Sequence, residues 1–156
     1  MRRTIKTILA PTDFSAASKA GLDYAIDLAR QFRAQLVIVS AVEIPALMVA
    51  PGSFDTSVYL DNLLVESQRA AEKQLATLAQ SVRKRRLNAR TLLSVGAPQQ
   101  LILKAAKKFK ADLIVMSTHG RTGVSHLFLG SVAERVVRTA PCPVLTVPAR
   151  GRRRKG

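Results

Sequence analysis

Leu36-Val37-Ile38-Val39-Ser40-Ala41-Val42 is apolar at every position but one, and mostly β-branched. A strand with one face in water would alternate, so an unbroken run of this kind predicts a strand covered by helices on both faces. Immediately upstream, Ala16 to Phe32 places Ala17, Leu22, Ala25, Ile26, Leu28 and Ala29 at helical spacing. Lys19, Asp23, Asp27 and Arg30 fill the other positions, which makes an amphipathic helix. Before it, Ile5 to Ala10 reads as a strand running into the polar turn Pro11-Thr12-Asp13-Phe14-Ser15, where Asp13 or Ser15 caps the helix.

The same alternation continues downstream. Glu43 to Asn62, interrupted by Pro45, Pro51 and Gly52, is long for a connection in such a domain and is a candidate lid. Leu63 to Arg86 follows as a helix with Leu64, Gln68, Ala71, Leu75, Leu78 and Val82 on one stripe. Leu87 to Val95 reads as a strand, Gly96-Ala97-Pro98 as a turn, Gln99 to Phe109 as a helix and Asp112 to Ser117 as a buried strand. A loop from Gly120 to Gly130, a short helix Ser131 to Thr139 and a last strand Pro143 to Val147 complete the order. Strands and helices in strict alternation predict an open, mostly parallel sheet with helices on both faces.

Composition agrees with one such domain. A chain of 156 residues can bury about 70% of its unfolded surface, and 47% apolar with 22% charged residues is a globular balance. Cys142 is the single cysteine, which excludes an internal disulfide. Its place between Pro141 and Pro143, just before a buried strand, suits a structural role. No apolar run approaches the ~20 residues that cross a bilayer, and the basic start is followed by no signal core, so a cytoplasmic location is expected. A net charge of +15 draws polyanions in general. Arg83 to Arg86 and Lys104, Lys107, Lys108 and Lys110 sit near helix ends, where solvated faces and the helix dipole account for them. The tail Arg150, Arg152, Arg153, Arg154 and Lys155 is a candidate for nonspecific polyanion contact, with no base-reading motif beside it.

In such sheets ligands bind beyond the carboxyl ends of the strands, where strand order reverses. Two strand ends here carry chemistry. Asp13 either caps a helix or accepts hydrogen bonds from a ribose hydroxyl or exocyclic amine. At the other end stands Ser117-Thr118-His119-Gly120-Arg121-Thr122-Gly123, followed by Gly130-Ser131. Glycines let backbone amides approach phosphate oxygens, and a helix start leaves N–H groups that attract anions. His119 either contacts phosphate or packs the loop; His126 is a weaker candidate; Arg121 either adds a charged contact or points to solvent. A P-loop and a Gly-x-Gly-x-x-Gly after the first strand are both absent. No Ser, His and acid set, no paired carboxylates and no metal cluster can be assigned, so an efficient enzyme is not expected.

Ile8-Leu9-Ala10-Pro11-Thr12-Asp13-Phe14-Ser15, Gly96-Ala97-Pro98, the segment His119-Gly120 through Gly130-Ser131-Val132-Ala133-Glu134-Arg135-Val136 and Ala140-Pro141-Cys142-Pro143-Val144-Leu145-Thr146-Val147 together resemble the universal stress protein family. The resemblance covers about Thr4 to Pro148, giving a UspA-like domain over 1–148 and a basic tail over 149–156. It implies an α/β fold with a five-stranded parallel sheet of order 3-2-1-4-5, like adenine nucleotide alpha hydrolases, and a homodimer joined through the final strands. It also implies ATP, with or without Mg, as ligand of a stress-response regulator. The family's pattern Gly-x-x-Gly, nine residues, Gly-Ser/Thr is matched at Gly120 and Gly130-Ser131, with Ser117 in place of the leading glycine. Carried onto this chain, Asp13 would face the ribose or adenine and the Ala41 backbone would help hold the adenine, with Pro11, Thr12, Met116 and Ser117 as further nucleotide-binding positions. Gly120, Gly130, Ser131 and Val132 would line the phosphates. The Ser117 side chain would either crowd the nucleotide or add a hydrogen bond. Other members of the family bind no nucleotide tightly, which leaves a nucleotide-independent partner of a protein or polyanion as the second expectation. Slow ATP hydrolysis or phosphorylation of Ser131 would lack an assignable general base.

Overall fold

The computed structural model describes residues 4–44, 57–119 and 129–148. Its elements follow one another as β1 (Thr7–Pro11), α1 (Ala16–Phe32), β2 (Gln35–Val42), α2 (Ser57–Lys84), β3 (Ala89–Val95), α3 (Pro98–Lys108), β4 (Leu113–Ser117), α4 (Ser131–Thr139) and β5 (Val144–Val147). The strands form one parallel sheet in the order β3-β2-β1-β4-β5. That is the expected architecture.

The period of two along each strand divides the core into two layers. Ile8, Ala10, Leu36, Ile38 and Val115 pack with Leu22, Ala25, Ile26 and Ala29 of α1 and Leu75 and Val82 of α2. Leu9, Val37, Val39, Ile114 and Met116 face the other way, onto Leu101, Ile102, Ala105 and Ala106 of α3 and Ala133 and Val136 of α4. Leu36 to Val39 are at most 1% exposed, so β2 is covered on both faces. Burying each such side chain contributes about 1.5–3 kcal/mol. The edge strands differ: every residue of β5 is half-buried, and β3 is largely exposed.

The boundaries depart from the sequence reading where local signals were incomplete. α2 begins at Ser57 rather than Leu63, so the expected long connection is shorter, and most of it, 45–56, lies outside the described residues. Pro45, Pro51 and Gly52 all precede Ser57, and no Pro or Gly interrupts the chain from there to Lys84. The α2 stripe is buried only from Ala71 onward, through Leu75, Ala79 and Val82, while Gln68 is exposed. β1 starts at Thr7, and at this end of the strand the Lys6 and Thr7 amides donate to Asp112 Oδ2, at 2.8 and 2.9 Å. α1 ends on Arg33, which adopts the left-handed conformation (φ 54) while the cap amides bond Ala29 O and Arg30 O. No described helix is long and apolar enough to cross a membrane.

Candidate functional site

Pairing between β1 and β2 continues to Pro11↔Val39, but pairing between β1 and β4 runs only through Ile8↔Leu113 and Leu9↔Ile114. Beyond Leu9 these central strands no longer pair, and their carboxyl ends border a cleft of about 230 Å³ at the reversal of strand order. The volume is a little below the ~300 Å³ at which drug-sized pockets begin.

Pro11, Thr12, Asp13, Ala41, Met116, Ser117, Gly130, Ser131 and Val132 all line this cleft. They come from the ends of three strands and the start of α4, so only the fold brings them together. Gly120, Arg121, Gly123 and His126 lie outside the described residues, as does the basic tail. Val39, Glu43, Leu101 and Ile102, none of them an expected site residue, also line the cleft, as does Pro98 of the Gly96-Ala97-Pro98 turn. Leu101 and Ile102 lie within the helix expected over 99–109, where an apolar residue carries no signal of a cleft wall; Glu43 has a usable one, a carboxylate just past a strand end, as at Asp13.

The β1 end is organised by its own hydroxyls. Phe14 takes a left-handed conformation (φ 62), and its amide donates to Thr12 Oγ1 at 3.0 Å. Thr12 Oγ1 lies 3.2 Å from Ser18 Oγ, which donates to Ser15 O. Asp13 Oδ1 accepts from the Ser15 amide at 2.9 Å. Ser15 itself is the N-cap, its hydroxyl accepting from Ser18 N at 3.0 Å. Of the two capping candidates Ser15 holds the cap position, and Asp13 braces the turn while lining the cleft.

The Ser117 side chain is turned toward α1. Its hydroxyl donates to Ala17 O at 2.6 Å and accepts from Gly21 N at 2.9 Å, bridging one turn of α1. The residue is 7% exposed, and its hydroxyl is engaged with the helix. Gly21 makes the approach possible: a Cβ there would stand 2.5 Å from Ser117 N and 2.8 Å from Met116 C. The closest of these contacts are to the β4 backbone, so the packing of α1 on β4 requires a glycine at position 21.

At the other wall, Gly130 N donates to Thr118 O at 2.8 Å and Thr118 N to Val147 O at 3.0 Å, tying the start of α4 to β4 and β5. A Cβ on Gly130 would sit 3.0 Å from Thr118 O, tighter than ordinary contact. α4 has no side-chain cap, and its first backbone bond runs from Glu134 N to Gly130 O. The Ser131, Val132 and Ala133 amides therefore have no helical acceptor, and this helix end carries a partial positive charge. His119 lines the same cleft; its Nδ1 is 2.9 Å from Thr118 Oγ1, and its buried Nε2 has no hydrogen-bond partner among the described residues.

Among the described residues, no group of three or more His, Cys, Asp and Glu side chains is placed to hold a metal ion. Cys142 stands apart from the cleft and packs against the α3–α4 layer. Burial first, and the Asp112 carboxylate second, push its thiol up, which keeps it protonated and weakly nucleophilic.

The chain is similar to a universal stress protein of Methanocaldococcus jannaschii, MJ0531, at 37% identity over 144 residues, covering 91% of this chain and 81% of that one. Its fold matches universal stress protein UspA from Lactobacillus plantarum with a TM-score of 0.81 at 27% identity, over 94% of this chain and 99% of that one. A universal stress protein solved in complex with cAMP shares the fold with a TM-score of 0.60 at 24% identity, over 95% of this chain and 100% of that one. The sequence model of the universal stress protein family matches residues 4–148, and with that match, the sheet order and these relatives together, the chain belongs to the universal stress protein family.

Proposed function

We propose that this protein binds an adenine nucleotide, in the first place ATP, in the carboxyl-end cleft and acts as a dimeric stress-response regulator rather than a turnover enzyme. The observation that carries the reading is the convergence of Asp13, Ala41 and the uncapped start of α4 on one cleft. A nucleotide offers complementary groups for each. Its base suits the apolar wall of Val39, Leu101, Ile102 and Met116, and its ribose hydroxyls suit the Asp13 carboxylate. Its phosphates suit the first-turn amides of Ser131, Val132 and Ala133, with the Ser131 hydroxyl as a further donor. Mg would accompany the phosphates as their counterion.

His119 supports a polar ligand as well. A buried nitrogen without a partner costs about 1–3 kcal/mol, and a ligand group bonded there would offset that cost. The family relation and a member solved with cAMP make an adenine nucleotide the favoured class. The half-buried β5 edge supports pairing with a second copy through the final strands.

The test is calorimetric titration of the protein with ATP, alongside native mass spectrometry for retained nucleotide and dimer. Gly130→Val drives side-chain atoms toward Thr118 O and displaces the α4 amides, so ATP affinity should fall at least about tenfold, or 1.4 kcal/mol, with folding retained. No detectable ATP binding by the natural protein, or equal binding by the variant, would overturn the reading.

A further inference from the structure

The other end of the sheet has a chemistry of its own. Because every strand is parallel and each helix leads into the next strand, all four helices end there. Their last turns carry Arg30 in α1, Arg83 and Lys84 in α2, Lys107 and Lys108 in α3, and Arg138 in α4. Between the ends of α1 and α2 lies a cleft of about 360 Å³ bounded by Arg30, Arg33, Arg85 and Arg86, with Gln35 and Asn88 beside them.

Four exposed arginines line this cleft, no acidic residue does, and none of the four has an ion-pair partner among the described residues. Arg138, by contrast, pairs with Glu134 at 3.0 Å, and Arg83 is held by Ala89 O. The helix dipole accounts for a cation at each helix end, but four guanidinium groups around one cleft repel one another. Two of them, Arg33 and Arg86, occupy left-handed backbone positions (φ 54 and 62), where glycine is the unstrained residue. The arrangement is complementary to phosphate, which guanidinium groups bind in a two-pronged fashion.

We propose that this arginine cleft docks the phosphodiester backbone of double-stranded nucleic acid, independently of base sequence and of the nucleotide cleft at the opposite end. A net charge of +15 and a pI near 11.3 favour an extended polyanion over a small anion. None of the residues lining the cleft is aromatic, so it provides no stacking platform for a single strand. Its apolar members, Ala34 and Leu87, are buried, so it offers no exposed apolar anchor for a lipid surface.

The experiment measures binding of the full chain to a short random-sequence DNA duplex by fluorescence anisotropy between about 50 and 200 mM salt. In Arg30→Gln/Arg33→Asn/Arg85→Gln/Arg86→Asn, with asparagine chosen to tolerate the left-handed positions, affinity should fall at least tenfold at ~100 mM salt. The slope of log K against log salt should shrink by about 3 to 4. A matched control, Arg69→Gln/Lys73→Gln/Lys104→Gln/Arg135→Gln, removes the same charge from exposed positions outside the cleft and should weaken binding less than threefold. Arg85→Gln/Arg86→Asn alone should give about half the slope change, which covers misfolding of the fourfold variant. Equal losses in the cleft and control variants, no loss in either, or more effective capture of anionic vesicles or inorganic polyphosphate than of duplex would each overturn the proposal. ATP affinity should be unchanged in the arginine variants, and duplex affinity unchanged in Gly130→Val, so this proposal and the nucleotide reading fail separately.

Discussion

The two ends of this sheet present hydrogen-bond donors from opposite parts of the chain. At the carboxyl end the helices begin, and the donors are backbone amides of α4 in a cleft whose described lining contains no Lys or Arg. At the amino end the helices finish, their carbonyls are the exposed backbone groups, and the donors are arginine side chains. The difference follows from a single fact of parallel topology: helix N-termini and C-termini are sorted to opposite ends. The carboxyl end is therefore sensitive to backbone displacement, and the amino end to net charge.

The sharpest way to break that contrast is Gly21→Val. Its Cβ would stand 2.5 Å from Ser117 N, a backbone atom under the carboxyl-end cleft. Stability should fall by about 3 kcal/mol or more in urea denaturation, the upper range for overpacking. A loss below about 1 kcal/mol would show that α1 moves away from β4 at little cost. At the amino end the comparable pin is Asp112, whose carboxylate receives the Lys6 and Thr7 amides. Asp112→Ala should cost about 1–2 kcal/mol, a middling value because the residue is exposed. The same change removes the carboxylate that helps push the Cys142 thiol up, so that thiol should titrate at lower pH in the variant, read by alkylation rate. The smallest effect belongs to Ser117→Ala. The direct Ala17–Gly21 helical bond can replace the bridge, so a loss of about 1 kcal/mol is expected, with ATP affinity within about twofold of the natural protein. A large affinity change would place the hydroxyl in the nucleotide contact after all.

Much of this was legible before any coordinates. The β1 turn and Ala41 at the end of β2 are strand-end positions, and periodicity located the strand ends to within about two residues, while the Gly130-Ser131 helix start was legible from its glycine and cap-type serine. The start of α2 falls at Ser57 rather than Leu63, and the sequence there offers several competing cap residues, Asp55, Thr56 and Ser57 as well as Asp61 and Asn62, so local signals alone do not single out one start. Leu101 and Ile102 were indistinguishable from other stripe residues, since one apolar face serves both core and cleft wall.

Local pattern determined the element order, the two-faced burial of β2 and the strand ends that carry chemistry, because 3.6- and 2-residue periods are properties of neighbouring residues. Tertiary structure alone decided where side chains far apart in sequence meet. The Ser117 hydroxyl is committed to Gly21 and Ala17, which lie 96 and 100 residues away. Arg30 and Arg33 share a cleft with Arg85 and Arg86 because β2 and β3 are neighbours in the sheet. Such meetings depend on how whole elements pack, and no window of sequence contains that information.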